Sequence, residues 1–161
     1  MTQEDKQLFL KDLCGRLLYK VKISVTEPER TEFTNQFSYE NGRTLVGVLY
    51  AIFPDEERII VDELDKSIAP HDVRCGGFNI EKYKIKPYLR PMSSMTTEEC
   101  KEYDSLCGWV YDEYNAYRLK TSESYDWLNA HHFDYRGLIP MGLALEASEE
   151  MYRINKSDKK T

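Results

Sequence analysis

The chain has 161 residues, of which 41% are hydrophobic and 31% are charged, and its net charge is −6 at pH 7. This length suits a single domain that can bury a core without disulfide bonds. The acidic balance disfavours a duplex-DNA binder, because Lys and Arg contacts to phosphates supply much of the affinity of such proteins.

The four cysteines, Cys14, Cys75, Cys100 and Cys107, show no metal-binding spacing. Since no C-x-x-C pair is present, a zinc finger or zinc ribbon is disfavoured. The polar opening residues predict no secretion signal, and no apolar run approaches the ~20 residues of a membrane span. The sequence therefore predicts a cytoplasmic protein with reduced thiols, no membrane contact and no cofactor.

A short amphipathic helix is predicted at residues 2–18. Thr2 and Asp5 resemble a capping box, in which each side chain bonds the backbone amide of the other residue. Leu10 and Leu13 continue an apolar face at helical spacing. We therefore expect this helix to pack on the core.

An antiparallel sheet is predicted to follow the helix. Residues 19–26 alternate apolar and polar side chains, which is typical of a strand with one buried face. Asn41 and Gly42 form a hairpin signal, and residues 65–77 are predicted to form a loop. The predicted strands are 19–26, 32–39, 44–53, 58–64 and 78–85. Four or five strands of this length indicate a small open sheet or an open barrel.

The segment around Pro87 and Pro91 is predicted to leave the sheet as an extended strap. Proline fixes φ, lacks an amide donor and restricts the preceding residue to extended conformations. We expect this strap to connect the sheet to a helical C-terminal part.

A long helix is predicted at residues 97–119, beginning with a capping box formed by Thr96 and Glu99. Its apolar stripe has alternating spacings of three and four residues, as in a heptad pattern. The stripe consists of Cys100, Tyr103, Cys107, Val110, Tyr114 and Tyr117. Cysteines at such positions are expected to be small buried hydrophobic residues. Gly108 is the weak point at which the helix could break.

The C-terminal block is predicted to contain a short helix at residues 125–132 and a last strand at 143–145. Asp134 is positioned to cap a further turn. Together the predicted elements describe one α+β domain at residues 1–150.

Within that domain, the sheet portion spans residues from about 19 to 86 and the helical portion from about 96 to 147. Residues 151–161 are polar. They are predicted to form a disordered tail.

Three segments resemble small uncharacterised proteins of phages and mobile elements of gut Bacteroidetes. They read D-W-L-N-A-H-H-F-D-Y-R-G-L-I-P-M-G-L-A-L-E-A at residues 126–147, Q-E-D-K-Q-L-F-L-K-D-L-C-G-R-L at 3–17 and I-K-P-Y-L-R-P-M-S-S-M-T at 85–96. Together they cover under half of the chain. The resemblance implies an accessory protein in a bacterial cytoplasm. It would block or sequester a host molecule, such as a defence factor or its nucleotide signal.

Metal binding is one hypothesis for the C-terminal block. Imidazole and carboxylate are suitable donors, and His131 and Asp134 would share one helix face. His132 would point about 100° away from its neighbour and could not easily share the metal. With His71 as a third ligand, this hypothesis predicts a metal-assisted hydrolase. The alternative is a histidine pair at a helix end that packs against Trp127.

Binding of an anionic ligand is a second hypothesis for the same block. Aromatic rings stack on bases, and arginine binds phosphate through two parallel hydrogen bonds. The candidate residues are Tyr88, Arg90, Trp127, His132, Tyr135 and Arg136. The alternative interpretation places Trp127 and Tyr135 in the core. It pairs Arg136 with Asp134 or with a helix C-terminus.

No complete catalytic signature is present, so the sequence favours a non-catalytic binding protein. Its predicted partner is a host protein or a small anionic ligand such as a nucleotide. Two alternatives stay open: the metal-assisted hydrolase, and a structural component of a virion or mobile element. The sequence leaves the oligomeric state undetermined.

Overall fold

A layer of strands with helices packed beside it forms the framework of the protein. The computed structural model describes residues 1–26, 44–64, 75–107, 110–111, 117–118 and 121–152. Its α-helices within these ranges are α1 (Gln3–Arg16), α2 (Thr97–Leu106) and α3 (Thr121–Ala130). The strands are β1 (Lys22–Thr26), β2 (Thr44–Phe53), β3 (Arg58–Asp62), β4 (Gly76–Asn79), β5 (Lys84–Leu89), β6 (Val110–Tyr111), β7 (Tyr117–Arg118) and β8 (Leu145–Glu146).

Within the described residues, six strands form one open sheet in the order β4-β3-β2-β1-β5-β8. Neighbouring strands are antiparallel except β5 and β8, which run parallel. β6 and β7 form a separate antiparallel pair. The predicted α+β class is confirmed, and the sheet is open, with six strands where four or five were predicted.

α1 begins with the capping box that the sequence predicts. The Thr2 hydroxyl accepts a hydrogen bond from the Asp5 amide, and the Asp5 carboxylate accepts one from the Thr2 amide. Further along the helix, Phe9 and Leu13 are buried and join Ile23 of β1 in the hydrophobic core. The helix therefore packs against the apolar face of the sheet, as expected.

The strands β2 to β4 agree only in part with the prediction. β2 occupies residues 44–53 as predicted. The end of the predicted loop at 65–77 is wrong, because Gly76 and Gly77 belong to β4 and pair with β3. Residues 65–74 of that loop lie outside the described part of the chain.

The predicted strand at residues 78–85 is wrong, because it spans a turn between two strands. The Asn79 side chain accepts hydrogen bonds from the amides of Glu81 and Lys82. Such side-chain bonds to the following backbone stabilise a turn. They end β4 at Asn79, and β5 begins at Lys84.

The predicted strap at Pro87 is also wrong, because this segment forms β5 between β1 and β8. Pro87 lies opposite Ile23 on β1. At the next pair of residues, the Lys22 amide and the Tyr88 carbonyl face each other, and the Tyr152 hydroxyl lies between them. Lys22 and Tyr88 thus stand at a hydrogen-bonded pair position of the antiparallel strands. Because such pairs alternate, Pro87 and Ile23 form a non-hydrogen-bonded pair. The Pro87 nitrogen therefore faces away from β1, and no β1–β5 hydrogen bond is lost.

The predicted helix at residues 97–119 is wrong beyond its first two or three turns. Thr96 and Glu99 form the expected capping box. The helix nevertheless ends at Leu106, and the short strands β6 and β7 follow. Gly108, the predicted weak point, lies outside the described residues.

The prediction of buried cysteines on that helix is wrong as well. Cys100 is exposed and Cys107 is only partly buried. The stripe therefore does not face the core at these two positions. A helix without a buried face lacks the packing that supplies most helical stability.

The predicted helix at residues 125–132 is displaced toward the N-terminus, since α3 ends at Ala130. His132 follows with a left-handed backbone, at φ 59°. A non-glycine residue in this conformation terminates a right-handed helix. Its side chain therefore does not lie on a helix face.

Some predictions fall outside the described residues. They are the strand at 32–39, the hairpin signal at Asn41 and Gly42, and residues 153–161 of the predicted tail. In the part of the chain that the structure describes, no helix is long and apolar enough to span a membrane.

Candidate functional site

The segment that follows α3 is fastened to the end of β5 by backbone hydrogen bonds. The Arg90 amide donates to the His132 carbonyl at 2.8 Å, and the Asp134 amide donates to the Arg90 carbonyl at 2.7 Å. Arg90 and Phe133 thus form a parallel bridge beside the sheet. Most of the candidate residues are held near one sheet corner by this connection.

Arg90, a predicted ligand-binding residue, is occupied by contacts within the protein. Its guanidinium donates to the two carboxylate oxygens of Glu99 at 2.7 and 2.9 Å and lies 4.2 Å from the centre of the Phe133 ring. These hydrogen bonds lower the pKa of Glu99 to about 2. Arg90 therefore links β5 to the first turn of α2.

Tyr88, a second predicted ligand-binding residue, takes part in an interruption of the sheet. The Tyr152 hydroxyl accepts from the Lys22 amide at 2.9 Å and donates to the Tyr88 carbonyl at 2.9 Å. This hydroxyl stands where a direct bond between β1 and β5 would lie. Tyr152 belongs to the segment predicted to be a disordered tail, and its two hydrogen bonds show that this prediction is wrong at its first residues.

His132 is buried beneath Tyr152, and their rings stack with centroids 3.9 Å apart. Burial lowers the pKa of His132 to about 3, and the positive charge of Arg16 adds to the effect. Its Nδ1 is buried and forms no hydrogen bond with any described residue. His132, a predicted ligand-binding residue, therefore lies inside the protein and beyond the end of α3.

The proposed metal ligands have other partners. His131 stacks on Trp127 with ring centroids 4.0 Å apart, and its Nδ1 lies 2.9 Å from the Trp127 carbonyl. The two carboxylate oxygens of Asp134 accept hydrogen bonds from the amides of Leu138 and Ile139. Asp134 therefore fixes a turn, which agrees with its predicted capping role.

No group of three or more His, Cys, Asp or Glu side chains that could hold a metal occurs among the described residues. His71, the predicted third ligand, lies outside them. The hydrolase hypothesis therefore stays a prediction. Trp127, which the alternative interpretation places in the core, is only partly buried and stacks on His131 and Phe133.

A fully buried ion pair lies at the C-terminal end of α1. Arg16 Nε donates to Asp12 Oδ2 at 2.6 Å, and Arg16 Nη2 donates to Asp12 Oδ1 at 3.0 Å. The same Nη2 donates to the Phe133 carbonyl at 2.8 Å. Both side chains are completely buried. The pair therefore joins α1 to the segment that holds the candidate residues.

Arg136 adds a second guanidinium to this carboxylate. Its Nε lies 3.3 Å from Asp12 Oδ1, which is close enough for an ion pair. The direction of the N–H does not complete a hydrogen bond, and Nε has no such partner among the described residues. Arg136 therefore pairs with Asp12, and not with Asp134 as the alternative sequence interpretation had it.

The Tyr135 ring packs against both arginines. Its centre is 5.4 Å from the Arg16 guanidinium carbon and 4.9 Å from that of Arg136. The Tyr135 hydroxyl donates to Asn129 Oδ1 at 3.1 Å, which fixes the ring. We call Asp12, Arg16, Tyr135 and Arg136 the arginine cluster.

Tyr135 and Arg136 were predicted from the sequence as ligand-binding residues, whereas Asp12 and Arg16 were not. A signal for the missing pair was available. Asp12 and Arg16 are four residues apart and share a helix face with Phe9 and Leu13, which an amphipathic helix reserves for the core. Charged side chains on a core face are costly unless paired, so they mark a site to inspect.

The arginine cluster carries more positive than negative charge. Two guanidinium groups face the single carboxylate of Asp12, and Arg16 Nη1 is buried without a hydrogen bond to any described residue. Guanidinium groups bind carboxylates and phosphates through paired hydrogen bonds. The arrangement is therefore suited to accept one further anionic group.

Comparisons with protein-family models, curated proteins and solved structures found no match to this chain.

Proposed function

We propose that the protein is a non-catalytic binding protein that holds a small anionic ligand at the arginine cluster. The charge imbalance of the cluster is the observation that carries this proposal. Asp12 neutralises one of the two guanidinium groups, and the second charge has no carboxylate of its own among the described residues. An anion would complete the balance.

The energetics support a ligand at this place. A buried charge is expensive unless a partner of opposite sign compensates it. Arg16 is fully buried, so its charge depends on nearby groups more than on water. A bound anion would therefore interact strongly with the cluster, because water screens such groups less than it screens surface charges.

Access to the cluster is provided by Arg136, whose side chain is 24% exposed. Its Nε is the atom that faces Asp12, and it forms no hydrogen bond with any described residue. In the proposal, Arg136 contacts the ligand directly. Arg16 contributes a second positive charge from behind it.

The biological role follows from the resemblance to phage and mobile-element proteins. A protein of that kind would act in a bacterial cytoplasm and sequester or block a host molecule. An anion site suits a host nucleotide signal as the target.

The experiment is a comparison of thermal melts and calorimetric titrations with inorganic phosphate, using sodium chloride at equal ionic strength as the reference. A ligand present at 100 times its Kd stabilises a protein by about 2.7 kcal/mol. We expect phosphate to raise the melting temperature of the natural protein and to have little effect on Arg136→Gln. An equal rise with chloride, or in Arg136→Gln, would overturn the proposal.

The chain offers a matched control in Arg58. Its guanidinium lies 4.9 Å from the centre of the Phe53 ring, as close as Arg136 lies to Tyr135. It pairs one to one with Glu56, so no charge is left over. Arg58→Gln should leave the phosphate response unchanged.

The host molecule can be sought by incubating the protein with a bacterial extract and identifying the released small molecules by mass spectrometry. The same molecule must be absent from Arg136→Gln and present with Arg58→Gln. An anion that both variants retain would argue against the cluster as the site.

A further inference from the structure

We infer that the anionic ligand carries a flat aromatic group, as a nucleotide does, and that Tyr125 stacks on that group. This inference rests on the proposed anion site and names the class of its ligand. It follows from the position of Tyr125 relative to the arginine cluster.

Tyr125 is an exposed aromatic residue beside the cluster. It lies on α3 and is 47% exposed, although it is a large hydrophobic side chain. Its ring centroid is 5.4 Å from that of Tyr135, with an angle of 40° between the planes. Tyr125 thus extends an aromatic surface from the buried charges to solvent.

Tyr135 is the fixed centre of this surface. Its ring contacts both guanidinium groups of the cluster, and its hydroxyl is bound by the buried Asn129. A side chain held in this way does not lose further conformational entropy when a ligand arrives. The aromatic and cationic groups are therefore prepared as one unit.

The order of these groups matches the chemistry of a nucleotide. The anionic end would meet Arg136, whereas the base would stack on Tyr125 at the solvent side. Rings of any base can stack on tyrosine, and one such contact contributes roughly 1–3 kcal/mol, or about a fivefold to 150-fold change in affinity. A phosphate without a ring would use only the arginine part of the site.

Among the described residues, the other exposed aromatic side chains, Tyr50 and Phe53, do not combine these features. Tyr50 on β2 is 69% exposed and makes no described contact with an arginine. Phe53 does contact Arg58, but Glu56 balances that charge. Tyr50 and Arg58 are therefore controls for stacking and for charge, respectively.

The test is isothermal titration of the full chain with four probes: inorganic phosphate, ribose 5-phosphate, adenosine monophosphate and adenosine. We expect adenosine monophosphate to bind at least tenfold more tightly than ribose 5-phosphate. Tyr125→Ala should remove this difference and leave the affinity for inorganic phosphate unchanged. Tyr50→Ala should alter neither affinity.

Folding of each variant is checked by its melting temperature and circular dichroism. Tyr125→Leu is the second variant, because leucine keeps an apolar contact with Tyr135 but offers no ring for stacking. It should bind ribose 5-phosphate and adenosine monophosphate equally.

The outcomes distinguish this inference from the proposed function. Equal affinities of the natural protein for ribose 5-phosphate and adenosine monophosphate would overturn the aromatic inference and leave the anion site in place. Equal losses in Tyr50→Ala and Tyr125→Ala would overturn it too. Failure of all three anions to bind would overturn the proposed function itself.

Discussion

The two ends of α1 carry charge clusters of opposite character. Near its start, the Lys6 ammonium pairs with Glu57 and Glu81, so one positive group faces two carboxylates. Near its end, two guanidinium groups face the one carboxylate of Asp12. The first cluster has surplus negative charge, and the second has surplus positive charge.

The two clusters also differ in how far water can solvate their surplus charge. Glu81 is 62% exposed, so water solvates the surplus carboxylate of the first cluster. Asp12 and Arg16 are fully buried, and the side chain of Arg136, which carries the surplus positive charge of the second cluster, is only 24% exposed, so water solvates that charge less. The ion pairs at the start of α1 therefore hold two turns against the helix. The arginine cluster at its end keeps a positive charge that an anion would neutralise.

Removing the central carboxylate of the buried cluster should have the largest effect on stability. Asp12→Ala leaves Arg16 buried without its ionic partner. Loss of one member of a buried pair costs about 3–5 kcal/mol. The measurement is urea unfolding at neutral pH.

A double variant separates the ionic contribution from packing. Asp12→Leu combined with Arg16→Met removes both charges and keeps the volume filled, and such replacements are often nearly neutral. We expect it to be much more stable than Asp12→Ala. If both variants lose the same stability, shape and not charge governs this end of α1.

Acidification should be the next largest effect, through His132 beside Arg16. Its pKa is lowered from 6.5 to about 3 in the folded protein. Stability from the neutral ring is fully present above the unfolded pKa and is lost as the pH falls through this window, because the unfolded chain takes up the proton first. At about 1.4 kcal/mol per pKa unit, the loss reaches a few kcal/mol.

The matching variant is His132→Asn, because asparagine tolerates the left-handed backbone at this position. Urea unfolding across this pH range should show a flatter profile for the variant. At the other end of α1, the hydrogen bond from Lys6 lowers the pKa of Glu81 from 4.5, so its contribution begins to be lost only as the pH falls toward 4.5, whereas that of His132 begins to be lost near 6.5. Parallel profiles for the natural and variant proteins would assign the acid sensitivity to other groups.

Arg136→Ala should change stability little. Asp12 keeps the nearer Arg16 as its partner, and a partly exposed ion pair contributes about 0–1 kcal/mol. Anion binding, by contrast, should be lost. Thermal melts with and without phosphate measure both effects, and a loss as large as that of Asp12→Ala would make Arg136 part of the structural framework.

Lys6→Met should have the smallest effect, and salt should remove it. The contacts of Lys6 involve carboxylates that water reaches, and about 1 M salt screens such interactions within a few ångströms. The effect of Asp12→Ala should persist in the same salt. Unfolding curves for both variants at low and high salt therefore compare the two clusters directly.

Local patterns were enough to predict several elements. The capping boxes at Thr2 and Thr96 depend on residues three positions apart, and both occur as predicted. β2 also agrees, because its apolar run and turn signals are local. The heptad-like stripe after Cys100 misled the prediction, since spacing alone does not show whether a face becomes buried.

The candidate site depends on contacts that local patterns do not contain. Arg16 meets the Phe133 carbonyl 117 residues along the chain, and Lys22 meets Tyr152 after 130 residues. The sequence indicated that Arg136 lies in an informative block. It did not indicate that Asp12 would be the partner, because that pairing requires α1 and the C-terminal block to pack together.

The Tyr152 hydroxyl between β1 and β5 allows one position of the sheet to open without the rest of the sheet. Residues 23–26 pair with β5 directly, whereas the hydrogen bond of the Lys22 amide depends on the Tyr152 side chain, which can move away. Local opening exposes an amide to exchange without unfolding the whole protein. The deuterium uptake of Lys22 therefore measures how often Tyr152 leaves, while the Ser24 amide, at the next hydrogen-bonded pair opposite Lys86, follows the opening of β1 from β5.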